Sequence, residues 1–214
     1  MIKDIKIVSF DVEGTLVTTD FSAAIWFEGI PGDYAAKHGM TFEQAKQFVF
    51  DEYAKVGDQR AEWYDINHWM RHFDLGSSDK FLARYRDRVQ LYPEVLDVLE
   101  SLGKKYPLIV CSATPREFLA HLLDGLKPYF REIFSSISDF KSPKTREFYE
   151  SVCGKMNAAP EQILHIGDNL QYDYQSAADA GLHAWYLDRK EEQKDHRKSM
   201  KTLAGLKDLL LNSN

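Results

Sequence analysis

Two short stretches gather carboxylates in a pattern suited to chemistry. Asp11-Val12-Glu13-Gly14-Thr15-Leu16 sets two acids two residues apart and follows them with glycine, so a tight loop can aim both side chains into one site. Gly167-Asp168-Asn169-Leu170-Gln171-Tyr172-Asp173 carries a second acidic pair, five residues apart. Either pair alone also reads as surface acid or helix capping. Brought together they repel unless a cation joins them, and hard oxygen donors suit Mg²⁺. Ser112 is a further polar residue that stands at the end of an apolar run.

What must position these residues is visible in the runs that precede them. Ile5–Phe10 is a short, mostly apolar run that stops at Asp11. Pro107–Cys111 stops at Ser112, Gln162–Ile166 stops at Gly167-Asp168, and His183–Leu187 has the same shape. Short apolar runs that end in polar loops read as buried parallel strands. Helical patterns lie between them, at Pro93–Lys104, Pro115–Leu126, Thr145–Met156 and Tyr172–Ala180, with first-turn prolines and terminal glycines as punctuation. The alternation predicts an α/β, doubly wound parallel sheet, in which ligands sit at the carboxyl ends of the strands. Asp11, Ser112 and Asp168 each stand just past such a strand.

Residues 16–90 break the alternation. They hold helix-like stretches such as Phe42–Val49 and Asp79–Val89, and no β-branched run. Three of the four tryptophans (Trp26, Trp63, Trp69) fall there, so the segment is expected to be a helical insertion with its own aromatic core. A few of those rings are expected to line a substrate pocket. The expected domains are an α/β core of 1–15 and 91–214 and a helical domain of 16–90.

With 27 basic and 33 acidic residues the formal net charge is −6, which lacks the field that draws a protein onto nucleic acid or anionic lipid. No apolar run nears the roughly 20 residues of a membrane helix, and the start is too short and acidic for a signal peptide, so the cytoplasm is the expected compartment. Cys111 and Cys153 lack any partner spacing and read as reduced core residues. The mixed charge run 188–201 reads as a solvated surface, followed by a short amphipathic helix, Leu203–Leu211.

These motifs, in this order, resemble those of the haloacid dehalogenase-like hydrolase superfamily, a Rossmann-like fold with a helical cap inserted after the first strand. The family's Asp-x-Asp-Gly-Thr is here Asp11-Val12-Glu13-Gly14-Thr15, and its strand ending in Ser or Thr is Leu108–Ser112, followed by Ala113-Thr114. Its Gly-Asp-x-x-x-x-Asp is matched without change by Gly167–Asp173. The family also places a lysine ahead of the last motif. Lys144, in Lys141-Ser142-Pro143-Lys144-Thr145, is nearer the usual offset than Lys141.

The resemblance implies a Mg²⁺-dependent phosphatase for a small phosphorylated metabolite, and the charge and the short apolar runs set no nucleic-acid or membrane partner beside it. Asp11 would be the nucleophile that forms an aspartyl-phosphate, and Glu13 the acid–base group. Ser112, Ala113 and Lys144 would bind the phosphoryl group. Asp11, the backbone carbonyl of Glu13, Asp168 and Asp173 would serve the metal. Glu13 departs from the commonest pattern, which has aspartate; the enolase-phosphatase branch also uses glutamate there. It adds one methylene of reach, and the alternative is that it only orients the loop. A phosphomutase shares the first steps. A haloacid dehalogenase needs no acid at position 13, and a non-catalytic binding protein needs none of these charges. His68 and His72, four apart on a helix, can bind zinc but lack a third ligand, and His165 reads as a satisfied core residue.

Overall fold

The computed structural model describes residues 4–57, 60–192 and 198–212. Along the chain come β1 (Ile7–Phe10), then α1 (Asp20–Ala24), α2 (Ile30–His38), α3 (Phe42–Val56), α4 (Ala61–Tyr64), α5 (Ile66–His72) and α6 (Ser78–Ala83). There follow α7 (Val95–Gly103), β2 (Leu108–Ser112), α8 (Arg116–Leu122), β3 (Phe130–Ser135), α9 (Arg146–Met156) and β4 (Ile163–Gly167). The last elements are α10 (Ser176–Asp179), β5 (His183–Leu187), β6 (Ser199–Met200) and α11 (Ala204–Leu211). They divide into two units, 1–18 with 91–114 and 124–214, and 19–90 with 115–123. The segment 115–123, which carries α8, falls within the expected core range yet clusters with the helical unit.

The first unit is the α/β fold that the sequence pattern predicts. Its sheet has the order β3-β2-β1-β4-β5-β6 with every neighbouring pair parallel. The chain builds outward from β1 on one side and then from β4 on the other. The β1/β4 boundary is therefore the point where such sheets open a crevice beyond their carboxyl ends. All residues of β1, β2 and β4 are buried, which explains why they read as unbroken apolar runs. On one face Ile7, Ile109, Cys111 and Ile163 pack with Phe148, Tyr149 and Val152 of α9 and Ala177 of α10. Helix α7 buries Val95, Val98, Leu99 and Leu102, an i, i+3, i+4, i+7 stripe, and packs with α11. Both cysteines are free and buried, and burial pushes their thiols up, Cys111 to about 12 and Cys153 to about 11.

The helical unit is held by rings. Tyr53 on α3 meets Trp26 at 6.0 Å, Trp63 at 6.0 Å, Trp69 at 4.6 Å and Phe73 at 6.3 Å, all edge to face. The Trp69 indole donates to the Trp63 carbonyl at 3.1 Å, so its polar handle is satisfied inside the cluster. Trp26 also stacks on Phe118 of α8 at 5.5 Å, which ties 115–123 to this unit. Helix α3 begins with a capping box in which Thr41 and Gln44 satisfy each other's backbone donors. The expected helix at 79–89 stops at Ala83, and a single 3₁₀ turn, Arg86–Arg88, takes its place.

The charged tail is more ordered than a solvated surface. Asp188 is buried and Ser199–Met200 adds an edge strand beside β5, while residues 193–197 of that run lie outside the described residues. Among the described residues no helix is long and apolar enough to cross a membrane.

Candidate active site

Three carboxylates meet at the ends of two adjacent central strands. Asp11 follows β1 and Asp168 follows β4, while Asp173 lies in the π-helical turn Leu170–Gln175. One oxygen from each lies within 4.8 Å of the others, and among the described residues this is the one group of three or more metal-type ligands. Two glycines make that closeness possible. Gly14 has φ +74°, and a Cβ there would overlap the Asp168 carboxylate; a Cβ on Gly167 would overlap that of Asp173. The acids sit in space that any other residue would fill. An all-carboxylate donor set in a cradle that glycine keeps open fits a hard divalent cation.

Lys144 enters from the loop before α9. It is 4% exposed, and its ammonium bonds Asp11 Oδ1 at 2.7 Å and also Asp173 Oδ1. Burial opposes its charge, but the two carboxylates outweigh that and hold the ammonium above its ordinary range. Lys141 is exposed, in left-handed backbone at φ 57° that ends the turn Ser136–Phe140. The structure therefore brings Lys144 to the carboxylates and leaves Lys141 outside.

The three acids do not titrate alike. Asp173 is fully buried, yet Lys144 and a hydrogen bond from His165 overcome the desolvation and hold it down at about 2. Asp11 is raised, because burial outweighs the attraction of Lys144. Asp168 keeps an exposed edge, but desolvation on its inner side and the charges of Asp11 and Asp173 push it up to about 7. Without a cation, burial and mutual repulsion thus disfavour ionising all three carboxylates together.

Glu13 is half-buried, and its Oε2 accepts a hydrogen bond from Thr114 Oγ1 at 2.9 Å. Ser112 Oγ donates to the same Thr114 hydroxyl at 3.2 Å, and the Thr114 backbone N–H donates to Ser112 Oγ at 3.3 Å. The strand end at Ser112, with Ala113 in the bend after it, is thereby linked to the loop that carries Glu13.

The family model for haloacid dehalogenase-like hydrolases matches residues 5–181. The chain belongs to that family. A phosphoglycolate phosphatase of Aliivibrio fischeri is 29% identical over 203 residues, covering 87% of this chain and 86% of that enzyme. A GMP/IMP nucleotidase of Escherichia coli is 23% identical over 171 residues, covering 78% of this chain and 76% of the relative. The 5-amino-6-(5-phospho-D-ribitylamino)uracil phosphatase of Escherichia coli is 29% identical over 108 residues. That match covers 49% of this chain and less than half, 43%, of the relative. Among solved structures, a haloacid dehalogenase-like phosphatase of Thermococcus onnurineus superposes with a TM-score of 0.84 at 24% identity, covering 96% of this chain and 98% of that one. A 2-haloacid dehalogenase of Pseudomonas syringae gives a TM-score of 0.68 at 22% identity, covering 97% and 99%. At such identities these two structures speak for the fold.

Within this haloacid dehalogenase-like hydrolase, three residues near the site had no role visible in the sequence. Thr114 stood in the quoted motif, but nothing in one dimension pairs it with Glu13. His165 is fully buried, and its Nδ1 meets Ser9 Oγ at 2.9 Å on the neighbouring strand. Its Nε2 meets Tyr149 Oη at 3.0 Å and Asp173 Oδ1 at 3.1 Å. It is a satisfied core histidine, as read from the sequence, that also touches the site. Arg189 came out of the charged tail. His68 and His72 stack at 5.9 Å, and His72 Nε2 pairs with Glu52 Oε2 at 3.0 Å, with no third metal ligand gathered there among the described residues.

Proposed function

We propose that this hydrolase is a divalent-cation-dependent phosphatase for a small phosphorylated metabolite and works through an aspartyl-phosphate. The observation that carries the reading is the Asp11–Asp168–Asp173 cluster at the sheet's switch point, with the Lys144 ammonium on two of its members. Phosphoryl transfer asks the protein to bring anions together and to hold charge as it spreads over the phosphoryl oxygens. The names of the relatives, all phosphatases or nucleotidases, support the same class.

Asp11, Asp168 and Asp173, with the backbone carbonyl of Glu13, would hold Mg²⁺. The ion would supply positive charge that offsets the repulsion between the site and the phosphate. Asp11 attacks phosphorus, and the ester P–O bond breaks. Glu13 gives its proton to the leaving oxygen, then takes one from the water that attacks the aspartyl-phosphate, which releases phosphate and restores Asp11. Ser112 Oγ, the Ala113 backbone and Lys144 hold the phosphoryl oxygens. Thr114 keeps the Glu13 carboxyl turned to the strand end that carries Ser112.

Phosphate release across a panel of sugar, nucleoside and short-chain acid phosphates tests this, in Mg²⁺ and in chelator. Release from at least one ester, abolished by chelator, restored by Mg²⁺ and lost in Asp168→Ala, is expected. Full activity in chelator, or no ester cleaved under any condition, retires the reading.

A further inference from the structure

The loop that carries Glu13 is gripped by a residue more than 170 positions away. Arg189, two residues past β5, donates from Nε to the Gly14 carbonyl at 3.0 Å and from Nη2 to the Thr15 carbonyl at 2.7 Å. Its Nη1 donates to Glu94 Oε1 at 2.9 Å, and the guanidinium carbon sits 3.5 Å from the centre of the Tyr92 ring. Glu94 Oε1 also accepts the Leu203 backbone N–H at 3.2 Å. The arginine is thus held by an acid and a ring while it holds two successive peptides.

The loop's N–H groups are used inward: Gly14 N–H donates to Val17 O at 2.8 Å, and the N–H groups of Leu16 and Val17 donate to Val12 O at 2.7 and 3.0 Å. The carbonyls of Gly14 and Thr15 take their donors from Arg189, and both residues are buried, so loss of the arginine leaves buried acceptors without it. Gly14 is also where a left-handed backbone lets Asp168 approach. Gly14 follows Glu13 directly, so a clamp on the Gly14 and Thr15 carbonyls holds the stretch of loop just past the residue that carries the carboxyl. A planar fork that bonds two carbonyls and stacks on a ring is a task for arginine and not for lysine.

We propose that Arg189 is a positioning residue for the acid–base step, fixing the reach of Glu13 by clamping the Gly14 and Thr15 carbonyls, with Glu94 orienting the clamp. The inference rests on the phosphatase reading and on Glu13 as its proton donor. It predicts a defect in proton transfer rather than in substrate binding.

The test compares wild type, Arg189→Met, Arg189→Ala, Arg189→Lys, Glu94→Gln and Glu13→Gln on an aryl phosphate with a good leaving group and an alkyl phosphate with a poor one. Thermal unfolding is measured for each. For Arg189→Met the expected result is KM within about two-fold, kcat on the alkyl ester down about 10- to 100-fold, and a much smaller loss in the first-turnover burst of aryl release, the comparison between the esters being made on that first turnover because breakdown of the aspartyl-phosphate is common to both. Guanidinium ion added to Arg189→Ala, which vacates the space of the fork, should restore part of the alkyl rate and do nothing for Glu13→Gln. Arg189→Lys should fall short of wild type. Equal loss on both esters, a wild-type rate, or a lack of guanidinium rescue overturns the inference. Should Arg189→Met fail to fold, Glu94→Gln carries the same comparison with a smaller loss in the same direction, and equal loss there overturns it as well. A wild-type protein with no phosphatase activity fells the parent reading. Leaving-group sensitivity in Glu13→Gln beside a wild-type Arg189→Met fells only the arginine's role.

Discussion

In the helical unit the interior is apolar, aliphatic side chains such as Ile25, Ile30, Val49, Ile66 and Leu82 beside an aromatic cluster in which buried Tyr53 meets buried Trp69 and Phe73 and half-buried Trp26 and Trp63. In the α/β unit a lysine, two aspartates and a histidine are buried together. Among the described residues Ser78 is the one residue of the helical unit in the buried polar or charged class, whereas Asp11, Lys144, His165, Asp173, Asp188 and several serines and threonines fill that class in the other. Burying charge is unfavourable unless it is paired, so a fold that concentrates buried charge at one set of strand ends does so for chemistry. Rings are a cheaper way to build an interior. The contrast fits the proposed reaction, which uses the buried charges of the α/β unit, whereas the interior of the helical unit is apolar.

The sharpest way to break that contrast is Asp11→Asn. An amide cannot attack phosphorus, so turnover should fall by more than about 10⁴-fold, with the thermal midpoint of unfolding little changed. Phosphate release near the wild-type rate would remove chemistry from the α/β unit altogether. Trp69→Ala is the mirror experiment. It empties the space beside Tyr53 and Phe73 and should lower stability by about 3–5 kcal/mol in denaturant unfolding, with the ratio of aryl to alkyl rates as in wild type. A changed ratio would place the helical unit in the chemical step.

A smaller effect should come from Glu13→Gln, about 100-fold on an ester with a poor leaving group. An aryl phosphate needs little protonation, so its first step should survive and give a burst of alcohol release while phosphoenzyme accumulates. Equal slowing on both esters without a burst would leave Glu13 as a loop-orienting residue only.

The smallest expected effect is a pH dependence of metal-free stability. Asp168 is raised in the folded state from 3.8 to about 7, so its contribution is fully present below about 3.8 and is lost as pH rises through 7. Asp173, lowered to about 2, acts the other way and loses its contribution only as pH falls from about 4 towards 2. In chelator, wild type should therefore lose stability relative to Asp168→Asn between pH 4 and 7. Parallel thermal midpoints across that range would show that the carboxylates do not strain the metal-free site.

Most of the α/β unit was legible because buried parallel strands are written as apolar runs that end at their polar residue, as at Phe10-Asp11, Cys111-Ser112 and Ile166-Gly167-Asp168. Strand β6 was not, because Ser199–Met200 has only two residues and sits in a charged run. The same composition hid Arg189: a charge run looks identical whether its members face water or clamp a loop. Lys144 and Lys141 both stand near one helix start; the offset favoured Lys144, and the left-handed turn at Lys141 leaves that residue exposed while Lys144 reaches Asp11. The link from Thr114 to Glu13 spans 101 positions and leaves no local trace.

The place of β1 at the centre of the sheet has a consequence for the order in which the living chain takes shape. Strand β1 is made first, yet its two neighbours are β2 and β4, and β4 ends at Gly167. Lys144 and Asp11, 133 positions apart, meet only after Lys144 has left the ribosome. Contacts of such long range close late, and until then β1 offers an open edge to any other strand. The residues that assemble the helical unit are complete by position 123. Synthesis therefore delivers the helical unit before the α/β one, and protease protection of arrested nascent chains should reach Ile7–Phe10 only after β4 has emerged.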